Sequence, residues 1–392
     1  MPFKALYFFL ANLLHRAYPL VETFILTALL PVELFGRWSW AGAFYVGVLG
    51  VLHGGIPAAT MRYAAIEKEH PVGVLRVALG RLLPWMIAGM GVLWALSWTV
   101  PPAVRLLVWA HLPATASTLV VETIRAYLRG QMADKRLFIW QAWNFIAGIA
   151  LTALLVWHYA LEGMIFVRLL QPLWTLLPVG GLLGQALRSA YKPLQGFGRF
   201  SWIALWGNLA MEATLVLPVW FLGWHGASER SIAYWRWATL FPMNLRTFLN
   251  MIVLYFYPRW AQRSLSPLTL YRKFLPLIHG ISLAGVAILI AVGLFWKAFP
   301  GEAYLPARDY YWGAIVVGYI WSTEALLLPN LLSARGYIHL FSGAYLIGLA
   351  VALLGYLVAG QSLSLLLLAL GIAGITVSAV SLRFSYAVSE RR

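Results

Sequence analysis

The sequence predicts an all-α membrane protein with twelve transmembrane helices, on three observations. Apolar runs of about 20 residues, long enough to cross a bilayer core as a helix, recur along all 392 residues. Hydrophobic residues make up 61% of the chain and charged residues only 11%, with a mean hydropathy of +0.77. Soluble domains carry about 25% charged residues. Finally, lysines and arginines collect in alternate gaps between the apolar runs.

A spanning segment must satisfy its own backbone hydrogen bonds, so each run is read as a helix. The runs are continuous rather than alternating at period 2, which argues against a β-barrel. The first, 6–31, follows Lys4 and is too long for the apolar core of a cleavable signal, so it is expected to remain as a span. The second, 40–61, stops at Arg62, and the third, 82–104, starts after Arg76 and Arg81. The fourth, 113–129, and fifth, 138–160, flank Lys135 and Arg136. The sixth, 165–187, and seventh, 201–224, flank Arg188, Lys192 and Arg199. The eighth, 232–257, and ninth, 274–299, flank the longest gap, Pro258 to Lys273. The last three are 310–332, 340–359 and 363–386. No gap is long enough for a folded domain outside the membrane.

Of the 29 basic residues, 20 are assigned to one side of the membrane and 7 (Arg37, Arg105, Arg168, Arg230, Arg236, Lys297 and Arg308) to the other, leaving Arg16 and Arg246 as the two that follow neither. Positive charge favours the cytoplasmic side. Both termini are therefore expected in the cytoplasm, as an even number of spans requires. The net charge of +16 is explained by topology rather than by nucleic-acid binding. The chain has no cysteine, which removes disulfides, thiolate metal sites and cysteine nucleophiles. Its 20 Trp and 19 Tyr fit aromatic belts at the two membrane surfaces.

A faint internal repeat divides the spans into two sets of six, giving lobes 1–195 and 196–392. Glu22-Thr23 leads to Leu30-Pro31-Val32, as Glu212-Ala213 leads to Leu217-Pro218-Val219. Arg37-Trp38-Ser39-Trp40-Ala41 is matched by Trp235-Arg236-Trp237-Ala238. Two related halves around a central site are a common transporter plan.

Ionisable residues inside spans are costly, about 2.5–3.5 kcal/mol each on insertion scales, and face a cavity or a partner. Arg16 lies about 15 Å along the first helix and Arg246 near the middle of the eighth. One arginine per lobe suits a diphosphate, because the planar guanidinium matches phosphate oxygens. His15 and Glu22, seven residues apart, share a helix face. Glu22, Glu212 and Glu324 are candidates for proton or sodium coupling or for cavity charge, with Glu212 and Glu324 also candidate partners of Arg246. Glu122 and Arg125, three apart, read as an intrahelical structural pair. His53 and His279 read as satisfied core residues ahead of proton relays. Pro19, Pro84, Pro172, Pro178, Pro218 and Pro242 lie inside spans, where they kink helices.

Several stretches carry a family resemblance. Leu30-Pro31-Val32-Glu33-Leu34-Phe35-Gly36-Arg37 and Gly54-Gly55-Ile56-Pro57-Ala58-Ala59-Thr60-Met61-Arg62-Tyr63 resemble the ends of the first two helices of polysaccharide flippases. Leu128-Arg129-Gly130-Gln131 with Lys135-Arg136, Pro258, Pro300-Gly301-Glu302-Ala303-Tyr304 and Leu332-Ser333-Ala334-Arg335-Gly336 are similar to later loops of that family. The ordered set covers the whole chain. It resembles the Wzx-type oligosaccharide flippases of the multidrug/oligosaccharidyl-lipid/polysaccharide exporter (MOP) superfamily. The resemblance implies two six-helix lobes in a MATE/MOP-like V, and alternating access. It also implies basic residues on helices one and eight facing a central cavity, here Arg16 and Arg246. The implied activity is outward movement of a polyprenyl-diphosphate-linked oligosaccharide across the inner (plasma) membrane for cell-surface polysaccharide synthesis. The partners would be that glycan, the bilayer, and the glycosyltransferases and polymerase of the same pathway, with no cofactor beyond a coupling H+ or Na+.

Two other functions stay open. A multidrug or cation exporter of the same superfamily would need an acidic or apolar cavity. A membrane glycan polymerase, ligase or acyltransferase would need long outer loops or a clustered acid–base set. The chain shows neither, and it has no Gly-rich nucleotide loop, so catalysis is not expected.

Overall fold

The computed structural model describes residues 2–53, 55–67, 70–191, 193–262, 265–296 and 302–390. Nearly all of them are helical, and no strand occurs among them. Lys68, Lys192, Arg263, Lys297, Pro300, Gly301, Arg391 and Arg392 lie outside the described residues. So do Gly54 and the side chains of Lys4, His53, Pro258 and Arg259.

The α-helices run α1 (Pro2–Leu29), α2 (Val32–His53), α3 (Ile56–Ile66), α4 (Pro71–Leu96), α5 (Pro102–Gly130), α6 (Asp134–Leu176) and α7 (Gly180–Arg188). They continue with α8 (Phe197–Trp224), α9 (Glu229–Gln262), α10 (Pro267–Leu294), α11 (Ala307–Ser322), α12 (Glu324–Ala334), α13 (Ile338–Ala359) and α14 (Leu363–Glu390). With α2–α3 and α11–α12 taken as interrupted spans, these elements follow the twelve predicted runs in order. Eight helical segments of the described residues are long and apolar enough to cross a membrane, α6 and its continuation counting once. The chain is a multi-pass membrane protein.

Most helices outrun their apolar cores. The apolar run predicted from residue 82 starts as helix at Pro71, and the one from 113 starts at Pro102. Proline in the first turn has no hydrogen bond to lose there and its φ already suits the helix. α10 also starts on proline, Pro267, and Ser266 caps it by accepting from the Thr269 amide at 3.2 Å.

α6 is a helical hairpin rather than a straight rod. Its backbone leaves helical geometry at Ala160 (φ 47°, ψ −125°). A Cβ on Gly163 would lie 2.2 Å from the Leu155 carbonyl oxygen, so the returning limb packs directly on the outgoing one. Trp140 Nε1 donates to the Thr175 carbonyl and Trp143 Nε1 to the Trp174 carbonyl, each at 3.0 Å, tying the limbs together.

The chain divides into two compact units: Met1–Leu34 with Trp40–Leu205, and Phe35–Ser39 with Trp206–Arg392. In the first, α4, α5, α6 and α7 bury a core that includes Val74, Leu75, Ile124, Tyr127, Leu137, Trp140 and Leu182. In the second, aromatic side chains dominate one end. Trp237 lies edge-on to Trp296 at 6.4 Å, and Trp296 packs on Tyr311 at 4.7 Å. Trp296 Nε1 donates to the Tyr304 carbonyl, and the Tyr311 hydroxyl to that of Leu289.

Candidate functional site: charges held inside the helical units

Two polar clusters lie within the first unit. In one, α1 meets α5. Arg125, 2% exposed, donates through Nη1 to Glu122 Oε1 on its own helix and lies 2.5 Å from His15 Nε2. His15 Nε2 is also 3.4 Å from Glu122 Oε1. One turn along α5, Arg129 donates to the Asn12 side chain. Arg16 is exposed on the neighbouring face of α1, within electrostatic reach of His15.

The second cluster joins α1 to the returning limb of α6. Arg168 Nη2 donates to Glu22 Oε2 at 2.7 Å, and both side chains are buried. The Tyr18 hydroxyl donates to Glu22 Oε1 at 3.1 Å. Arg168 Nη1 donates to Gln171 Oε1, Gln171 donates to Thr118 Oγ1, and Thr118 shares a hydrogen bond with the Tyr45 hydroxyl. Gly148 leaves room for the Tyr18 ring, which a Cβ there would meet at 2.4 Å. His15 and Glu22 thus serve different partners despite sharing a face of α1. Arg168, which the sequence places among the outward-side surface charges, is buried in the unit. An arginine near a span boundary reads as topology, and only its tertiary partner, Glu22, reveals it.

In the second unit, Arg246 on α9 is 7% exposed. Its guanidinium carbon lies 5.8 Å from the centre of the Trp321 ring, close enough for cation–π attraction. It lies within electrostatic reach of Tyr345, whose hydroxyl donates to the Ala325 carbonyl at 2.8 Å. Arg246 Nε is buried without a hydrogen-bond partner. Glu212 on α8 is half-buried and within electrostatic reach of Tyr345. Glu324 is paired with His279 rather than with Arg246. His279 Nε2 lies 2.9 Å from Glu324 Oε1, and His279 Nδ1 lies 2.6 Å from the Tyr319 hydroxyl. This group sits where α11 gives way to α12 at Thr323 (φ −103°, ψ −109°).

Arg37, also counted as a surface charge, makes a two-pronged pair with Glu229. Nε and Nη2 reach the two carboxylate oxygens at 2.8 and 3.1 Å, and the carboxylate raises the Arg37 pKa above its ordinary value. A Cβ on Gly36 would fall 1.8 Å from the Glu229 carbonyl oxygen, so the close approach that forms this pair depends on glycine.

The fold has solved counterparts. A MATE in complex with MaL6 aligns with a TM-score of 0.70 at 13% identity, covering 98% of this chain and 95% of the other. The fold is that of the MATE transporters. An inward-facing multidrug resistance MATE family transporter of the MOP superfamily aligns at 0.66 and 15% identity, covering 97% of this chain and 96% of its own. A MOP superfamily transporter from Pyrococcus furiosus, described as having a binding pocket of reverse polarity that suggests a different function, aligns at 0.67 and 13% identity. It is covered over 94% of its length, and this chain over 98%. No protein-family model matches the sequence, and no curated protein does.

Proposed function

We propose that this protein is an alternating-access transporter that moves a polyprenyl-diphosphate-linked oligosaccharide across the plasma membrane. The supporting observation is Arg246. A buried guanidinium in a bilayer span costs several kcal/mol, and this one keeps its Nε hydrogen unused. Trp321 packs against the head group and Tyr345 lies within its electrostatic reach, and neither carries a neutralising charge. A diphosphate oxygen is the ligand such a donor fits. Arg16, exposed on α1, supplies the second cation in this reading, and Glu22, Glu212, Glu324 and His15 are the groups through which a proton or sodium ion would couple. Transporters of this fold are known in inward- and outward-facing conformations, which suits alternating access.

A multidrug exporter is the second reading, favoured by the multidrug transporters among the structural counterparts. The polarity of the binding pocket has been taken to mark a different function in the Pyrococcus furiosus transporter of this fold. The test is translocation of a fluorescent lipid-diphosphate oligosaccharide in proteoliposomes, run beside efflux of a cationic dye. The flippase reading expects glycan movement by the wild type. It expects at least a tenfold loss in Arg16→Ala and Arg246→Ala, and no rescue by Arg246→Lys, which lacks the planar fork. Dye efflux without glycan movement overturns it in favour of the exporter.

A further inference from the structure

We infer that the first unit carries a binding site for an anionic phospholipid, in the groove between the two limbs of the α6 hairpin. The groove has a volume of about 690 Å³. Lys135 and Arg136, at the start of the outgoing limb, line it together with Ile139, Trp143, Leu177 and Pro178. The limbs run antiparallel and are held in register by the Trp140 and Trp143 hydrogen bonds to the returning backbone. Eight residues separate Lys135 from Trp143, so the groove extends about 12 Å from its charged end at 1.5 Å per residue. Its depth and polarity match one lipid molecule, with the phosphate at the basic residues and the upper acyl chain along the indole and Leu177.

Two further features keep the groove open. The returning helix gives way at Leu177–Val179 to a single 3-10 turn containing Pro178, before α7 resumes at Gly180. The wall residues are also poorly covered by the protein: Leu177 is 78% exposed, Ile139 57% and Trp143 48%.

Charge selects the occupant. Lys135 and Arg136 are both exposed. Basic pockets between spanning helices at the membrane surface attract anionic head groups. A zwitterionic head group brings its own ammonium against the basic pair, which repels it, so the occupant is a phosphatidylglycerol-type lipid.

Native mass spectrometry of the detergent-purified protein, titrated separately with phosphatidylglycerol and phosphatidylcholine, tests this. The wild type is expected to bind phosphatidylglycerol at least fivefold more tightly. Lys135→Gln with Arg136→Gln is expected to weaken that binding about thirtyfold and to erase the preference. Leu177→Glu alters an exposed wall residue and no packed contact, and is expected to lose the lipid while the protein stays folded. Equal affinity of the wild type for both lipids overturns the proposal. So does unchanged phosphatidylglycerol binding in Leu177→Glu, or a co-purified polyprenyl diphosphate occupying the groove instead.

Discussion

The pair of Glu22 and Arg168 shows how one residue can be read two ways. Both are buried at 2.7 Å, so each keeps the other tolerable in a low-dielectric span. Removing one partner leaves the other charge buried alone, at a cost of about 3–5 kcal/mol, whereas removing both leaves no stranded charge. Arg168→Ala is therefore expected to lower the thermal unfolding midpoint in detergent sharply. Glu22→Ala with Arg168→Ala should lower it less than either single change. A double variant as unstable as the sum of the singles would show that the pair is not the unit. The result matters for coupling: a transport defect in Glu22→Ala counts as evidence of ion coupling only if the double variant, with its fold restored, still fails to transport.

At the scale of elements, three helices end in the same way with different residues. After α8, α12 and α5, the chain turns through a left-handed residue: Gly226 (φ 76°), Gly336 (φ 89°) and Met132 (φ 52°). In each, two amides close back on the last turn, as when Ala133 donates to the Leu128 carbonyl and Met132 to that of Arg129. This is the Schellman geometry, which glycine adopts freely and a side chain adopts at a cost of about 1 kcal/mol. Met132→Gly is expected to raise stability by up to that amount. Gly336→Ala, whose Cβ would meet nothing within 4 Å, is expected to lower it similarly, for conformational reasons alone. Unfolding midpoints of the two variants moving the same way would refute the argument. Helix boundaries of this kind are partly legible in sequence, since Gly226 and Gly336 announce them. The reversal at Ala160 and the break at Thr323 are not, because neither has glycine or proline at the point of departure. They are imposed by packing, in which the returning limb rests on the outgoing one and the Glu324, His279 and Tyr319 side chains meet across the break. Buried pairs such as Glu22 with Arg168 were hidden for the same reason. Periodicity places each residue on a helix, but partners 146 residues apart are brought together by tertiary structure.

For the whole molecule, the open question with a direct physical answer is its orientation. The excess of lysine and arginine in alternate gaps predicts that the Gln131–Ala133 turn faces the cytoplasm. The turn after α8 and the turn between α13 and α14 should face the opposite side. The absence of cysteine makes this measurable without removing any native thiol. Met132 is 68% exposed, and Ser228 and Gln361 are exposed in their turns, so single cysteines at these positions would be reachable without disturbing a core. In intact cells, a membrane-impermeant maleimide is expected to label Ser228→Cys and Gln361→Cys and to spare Met132→Cys until the membrane is opened. The reverse pattern would place the basic turns outside, against the charge rule. It would also put the Lys135 and Arg136 end of the α6 groove in the outer leaflet. Labelling of all three from outside would mean that the number of passes between them is wrong. The even spacing of passes, and not only their direction, is therefore at stake in the same experiment.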